Sequence, residues 1–99
     1  MAPFSSPLAE ELSSDMLDRF MRYVRVDTQA ARDAGESPST PGQLDLSRML
    51  AEELREIGLG DATLDEHGYV TATVPGTAKG PVIGLLAHVD TSPDAPGAG

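Results

Sequence analysis

The chain has 99 residues, enough for one small domain, and its composition narrows the classes of function open to it. Sixteen acidic residues against seven basic ones give a net charge of −9, which repels phosphate backbones and argues against a nucleic acid partner. The absence of cysteine excludes disulfides and thiolate metal sites. The longest apolar run is too short to span a bilayer, and the N-terminus lacks a signal-peptide pattern. We therefore expect a cytoplasmic protein with no membrane partner.

The N-terminal quarter of the chain is predicted to hold one helix. Residues 1–12 are expected to form a mobile tail, and residues 13–99 to form part of one incomplete domain. Ser13 or Ser14 can cap the first turn of the helix. Five apolar side chains follow at helical spacing on one face: Met16, Leu17, Phe20, Met21 and Val24. The Gly-, Pro- and Ser-rich stretch over 27–42 is expected to be a surface loop.

A second helix is predicted from about Gln43 to Gly58, where the glycine fits the left-handed position after a helix. Its apolar stripe consists of Leu46, Met49, Leu50, Leu54 and Ile57. Its wet face consists of Arg48, Glu52, Glu53, Arg55 and Glu56. We interpret the acidic residues as a solvated face and not as a binding patch.

After Asp61 the sequence pattern changes from helical to strand-like. Apolar and polar residues alternate over 62–76, and His67-Gly68 lies where a tight hairpin needs its turn. The segment "PVIGLLAHVD" at 81–90 is nearly continuous hydrophobe, which is typical of a strand covered on both faces. Two helices, a hairpin and a buried central strand predict part of an α/β or α+β sheet domain, with α/β preferred.

His88 and Asp90 stand at the end of the predicted buried strand, where sites in α/β sheets collect. Residues two apart in a strand point to the same face, roughly 6–7 Å apart along it. A carboxylate at that distance can reach the imidazole, fix its free nitrogen and raise its basicity, as a metal-binding histidine requires. Alone, the pattern also suits an ordinary strand end with a polar exit. His67 is interpreted as a turn residue.

Four stretches give the pair a more specific context. In chain order they are "FMRYVRVDTQ" (20–29), "PSTPGQ" (38–43), "LAEELREIGLGDATLDEHGYVTATVPG" (50–76) and "IGLLAHVDTSPDAPG" (83–97). Together they resemble the N-terminal part of the peptidase T family, the tripeptide aminopeptidases among the co-catalytic zinc exopeptidases. The combination of "HVDTSPD" with "PSTPGQ" separates this family from relatives that deacylate amino acids or cleave C-terminal residues.

The resemblance implies roles for two residues. The histidine matching His88 binds one of two zinc ions, and the aspartate matching Asp90 is an active-site residue that supports it. The general-base glutamate, the bridging aspartate and the other ligands lie further along the family's chain, so nothing here matches them. The resemblance thus implies the first part of a zinc-dependent aminopeptidase for short peptides. The 99 residues alone are expected to be inactive and to expose apolar surface and strand edges.

Two alternatives remain open at this stage. The chain could be a self-contained acidic α/β module that binds or regulates without catalysis, as its length would permit. It could also come from a related enzyme that acts on another amide substrate, although the residues flanking His88 and Asp90 argue against that. The sequence leaves the oligomeric state open.

Overall fold

The computed structural model describes residues 3–95 and 97. In chain order it contains helix α1 (Pro7–Tyr23), helix α2 (Pro41–Glu56), strand β1 (Thr63–Leu64) and strand β2 (Val70–Thr71). The two strands form an antiparallel pair in which Thr63 faces Thr71 and Leu64 faces Val70. Some residues of the predicted tail and domain lie outside the described residues, namely 1–2 of the tail and 96, 98 and 99 of the domain.

Helix α1 begins at Pro7, so the predicted start at Ser13 or Ser14 is wrong. Ser6 has extended backbone angles, and its hydroxyl accepts a hydrogen bond from the Ala9 amide at 3.1 Å. Pro7 follows at the first helical position, where a missing N–H costs nothing and the fixed φ suits the helix. Residues 7–12, assigned to the tail by sequence, are therefore helical.

Helix α2 ends at Glu56, two residues before the predicted end at Gly58, and this glycine has the left-handed backbone that the prediction requires. Gly58 has φ +109°, and its amide donates to the Arg55 carbonyl at 3.0 Å. The Leu59 amide donates to the Leu54 carbonyl at 2.9 Å, which completes the two-bond C-terminal cap. The predicted stripe is buried at its first residue, Leu46, and exposed at its last, Ile57, and the residues between them are half-buried.

The predicted wet face of α2 is wrong at Glu53. Its carboxylate lies between the helices and accepts hydrogen bonds from Arg19 at 3.1 Å, from Arg22 and from the Tyr23 hydroxyl. Burial would raise the pKa of Glu53, but the hydrogen bonds from Tyr23 and Arg22 and the nearby positive charges outweigh it and hold the pKa below its usual range. Glu53 thus ties α1 to α2.

The hairpin lies where the sequence places it, although its strands are short. Asp65 Oδ1 accepts hydrogen bonds from the amides of His67 and Tyr69, at 2.8 and 2.9 Å, and this closes the turn. Gly68 has φ +87°, and its carbonyl accepts from the hydroxyl of Ser47, a buried residue of α2, at 3.1 Å. His67 is a turn residue, as predicted.

The predicted buried central strand is wrong for this structure. Among the described residues, the segment 82–88 pairs with no strand, and Val82, Leu85 and Leu86 are each at least 95% exposed. A strand needs neighbours to satisfy its backbone and cover its faces, and here none lies beside it. The α/β character therefore consists of two helices and a small antiparallel sheet.

The molecule as a whole is open. Its accessible surface is 8140 Å², against the ~5,400 Å² expected for a compact monomer of this mass. Its radius of gyration is 16.2 Å, against ~13 Å for a compact chain of this length. The buried residues cluster around α2, the hairpin and Thr28. In the described part of the chain, neither helix is long and apolar enough to cross a bilayer.

Candidate functional site

His88 and Asp90 contact each other as the sequence predicts. His88 Nδ1 lies 3.0 Å from Asp90 Oδ1 and 2.9 Å from the Asp90 carbonyl oxygen. With Nδ1 directed at the aspartate, Nε2 is the ring nitrogen left for a metal or a proton. The His88 side chain is 85% exposed. The segment before the pair belongs to no strand among the described residues, so the contact comes from the loop itself.

The chain immediately after Asp90 is fixed by backbone hydrogen bonds to a distant segment. The Thr91 amide donates to the Thr28 carbonyl at 3.1 Å, and the Ala30 amide donates to the Thr91 carbonyl at 2.9 Å. These two bonds form a parallel bridge between Gln29 and Thr91. Thr28 is buried, so the bridge joins the His88–Asp90 loop to the packed part of the molecule.

The "PSTPGQ" stretch also contacts the 28–31 segment, which carries the bridge to Thr91. Thr40 Oγ1 donates to the Gln29 carbonyl at 2.9 Å, and Ser39 Oγ accepts from the Ala31 amide at 3.0 Å. Gln43 is buried, and its amide nitrogen donates to both hydroxyls, each at 3.0 Å. Sequence reasoning used these residues only as a family motif. Thr40-x-x-Gln43 before an apolar run is also the sequence pattern of a capping box, and this pattern could have indicated that the two side chains interact.

A groove of about 750 Å³ opens beside the pair. It is lined by α1 (including Tyr23), by α2 and the hairpin turn (including Leu54 and Tyr69), and by the segment over 85–90, which includes His88 and Asp90. The groove is open to solvent on the side of this segment, where Leu85 is 95% exposed.

The residues present fit one part of a zinc site. Zinc takes about four protein or water ligands, and a ligating histidine commonly turns its second nitrogen to a carboxylate. His88 and Asp90 match that ligand and its partner. Within residues 3–95 and 97, however, no group of three or more histidines and carboxylates is arranged to hold a metal ion.

The chain is similar to a group of curated bacterial peptidases. It is 48% identical over 88 residues to a protein named Peptidase T from Bacillus cereus (strain Q1), a match that covers 87% of this chain and 21% of the relative. Proteins of the same name from Bacillus mycoides (strain KBAB4) and Bacillus thuringiensis (strain Al Hakam) are 47% and 46% identical, each over 87% of this chain and 22% of their own length. No family model matches the chain.

The resemblance to peptidase T inferred from the motifs is thereby confirmed. The chain spans about a fifth of the length of the curated relatives it matches.

Proposed function

We propose that this chain is the N-terminal segment of a zinc-dependent aminopeptidase of the peptidase T type, which releases the N-terminal residue from tripeptides. The observation that carries the proposal is the 3.0 Å contact between His88 Nδ1 and Asp90, in a chain that is 48% identical to a Peptidase T. The substrates would be short peptides with a free N-terminus, and the location cytoplasmic. The comparisons offer no support for a self-contained binding module.

Each residue of the pair has a definite task in this proposal. His88 would bind one zinc ion through Nε2, and Asp90 would hold the ring with Nδ1 protonated and make Nε2 more basic. Zinc, when bound, lowers the pKa of a water molecule and polarises the scissile carbonyl. The other ligands and the general base would come from residues beyond those described. The 99 residues alone are therefore proposed to be inactive.

The test compares both histidines in the natural gene product. Cleavage of trialanine is measured before and after chelation, and after zinc is returned, with N-acetyl-trialanine as the blocked substrate. His88→Ala should lower kcat/KM for trialanine more than about 100-fold, because a ligand is lost and not merely its partner. His67→Ala, in the exposed hairpin turn, is the matched control and should stay near the wild-type value. Wild-type activity in His88→Ala, or cleavage that survives chelation, would rule out the assignment.

A further inference from the structure

We propose that Thr40 is a positioning residue for the His88–Asp90 loop, acting through one peptide unit and oriented by Gln43. The loop's catalytic importance rests on the proposed function, but the link itself is visible in the structure. It runs from Gln43 to Thr40, then to the peptide unit between Gln29 and Ala30, and from there to Thr91.

The first step is the orientation of Thr40. Thr40 is the N-cap residue of α2 and has extended backbone angles. In a capping box the threonine hydroxyl would accept from the amide of the residue three positions on, and the glutamine would reach back to the threonine amide. Here the hydroxyl donates to the Gln29 carbonyl at 2.9 Å. The capping geometry that the sequence offers is replaced by a contact with a segment 11 residues earlier.

The second step is the fixing of that hydroxyl by Gln43. The buried Gln43 amide group donates one hydrogen bond to Thr40 Oγ1 and another to Ser39 Oγ. A threonine hydroxyl has a single proton. When its oxygen accepts from Gln43, the proton is free to point at Gln29. Both donors of the glutamine amide are used, so the direction of the chain of hydrogen bonds is set.

The third step joins this contact to the loop. The Gln29 carbonyl and the Ala30 amide belong to the same planar peptide unit. Thr40 holds its oxygen, while its N–H donates to the Thr91 carbonyl at 2.9 Å. Because the peptide unit is rigid, holding the Gln29 carbonyl oxygen also sets the direction of the Ala30 N–H. Thr91 follows Asp90 directly and is held by two peptide units, through the Thr28 carbonyl and the Ala30 amide, so the plane that Thr40 fixes sets one of the two hydrogen bonds that position the chain beside Asp90.

The test uses two substitutions at one position in the natural gene product. Thr40→Val keeps the shape and removes the hydroxyl, and Thr40→Ser keeps the hydroxyl. Amide hydrogen exchange is followed by NMR at Ala30 and Thr91, with Ala51, buried in α2, as the internal reference. The ring ¹⁵N shifts of His88 report which nitrogen carries the proton, a readout that a purely structural role for Thr40 would not move.

Thr40→Val should raise exchange at Ala30 and Thr91 about tenfold relative to Ala51, the size of one hydrogen bond, and should move the His88 ring shifts. Thr40→Ser should restore both. Unchanged exchange at Thr91, unchanged ring shifts, or an equal rise at Ala51 would overturn the proposal. So would wild-type Ala30 and Thr91 amides that exchange at the rate of an unfolded peptide. Neither metal nor substrate is used, so the outcome is independent of whether the peptidase assignment holds.

Discussion

The contact between His88 and Asp90 matters for ring orientation more than for folding. Both side chains reach solvent, where an ion pair contributes little to the free energy of unfolding. The aspartate can still decide which imidazole nitrogen carries the proton, because that choice needs only a local hydrogen bond. In the proposed zinc site, Asp90 would thus leave Nε2 of His88 available to the metal before it binds.

Asp90→Asn should therefore weaken zinc binding without unfolding the protein. The amide keeps the size of the carboxylate but loses its charge, and loss of such a partner typically lowers metal affinity about 10–100-fold. The measurement is a zinc competition titration of the natural gene product against a chromophoric chelator.

Asp45→Asn is the matched control, because Asp45 is an exposed carboxylate on α2 that forms an ion pair with Arg48. It should leave zinc affinity unchanged. Equal effects of the two substitutions would contradict a specific role for Asp90.

Glu53 gives the helix pair a defined pH dependence. Because folding lowers its pKa, its stabilising contribution is complete above the unfolded value of about 4.3 and is lost as pH falls through the lower, folded pKa. Glu53→Gln should cost about 1 kcal/mol at pH 7, since the arginines it binds are partly exposed. It should also reduce the loss in the free energy of unfolding as the pH is lowered.

Thermal unfolding followed by circular dichroism between pH 2 and 7 measures both effects of Glu53→Gln. Glu52→Gln, on the exposed face of the same helix, serves as the control and should retain the wild-type profile. An acid transition that persists unchanged in Glu53→Gln would show that another carboxylate causes it.

At the scale of elements, the first turn of α2 lies unusually close to the segment before the bridge. A Cβ added to Gly42 would clash with the Asp27 carbonyl oxygen, closer than any permitted contact. Asp27 precedes Thr28, whose carbonyl holds Thr91. Gly42 thus lets the helix approach the backbone that supports the His88–Asp90 loop.

Gly42→Ala should destabilise the fold by about 1–3 kcal/mol, the usual cost of overpacking, even though alanine favours helix by about 1 kcal/mol. Chemical denaturation measures the loss. Gly60→Ala is the control, because a Cβ there meets nothing within 4 Å and its φ is not left-handed. A Gly42→Ala variant as stable as Gly60→Ala would contradict the close approach.

The sequence predicts those elements whose signals are local. Gly58 marks the end of α2 and His67-Gly68 marks the hairpin turn, because each requires a backbone geometry that neighbouring residues specify. The start of α1 could have been predicted, since Ser6-Pro7 is a cap residue followed by proline, but the apolar periodicity placed the start six or seven residues later, at Ser13 or Ser14. Such local errors can be corrected by reading caps before periodicity.

Other features depend on distant partners and could not be read from the sequence. The apolar run at 82–89 predicts a strand, yet a strand forms only where another one pairs with it. Glu53 lies on the polar side of α2 by periodicity and becomes part-buried only because two arginines and a tyrosine of α1 meet it. The contact between His88 and Asp90 was predictable because it spans two residues, whereas the Gln29–Thr91 bridge spans more than sixty.

At the scale of the whole molecule, the exposed apolar segment is the dominant feature. Fully burying one leucine contributes about 1.5–3 kcal/mol, and Leu85 and Leu86 are left almost wholly in solvent. Such a segment favours association with any apolar surface that can cover it. The 99-residue chain should therefore bind hydrophobic dyes and self-associate as its concentration rises.

Leu86→Lys should reduce both dye binding and self-association of the 99-residue chain. Light scattering across a concentration series and fluorescence of a bound apolar dye are the measurements. Thr77→Lys adds the same charge at an exposed polar position without removing apolar surface, so it should behave like the wild type. If both variants lowered association equally, net charge and not the apolar segment would be responsible.

The most direct test of the proposed function is the intact mass of the natural gene product, read together with the reading frame beyond Gly99. The proposal predicts a mass far above the 10.4 kDa of these residues, with an aspartate-containing loop, a Glu-Glu pair and a late histidine downstream. A natural product of about 10.4 kDa would contradict it, because His88 and Asp90 would then have no further ligands with which to hold zinc.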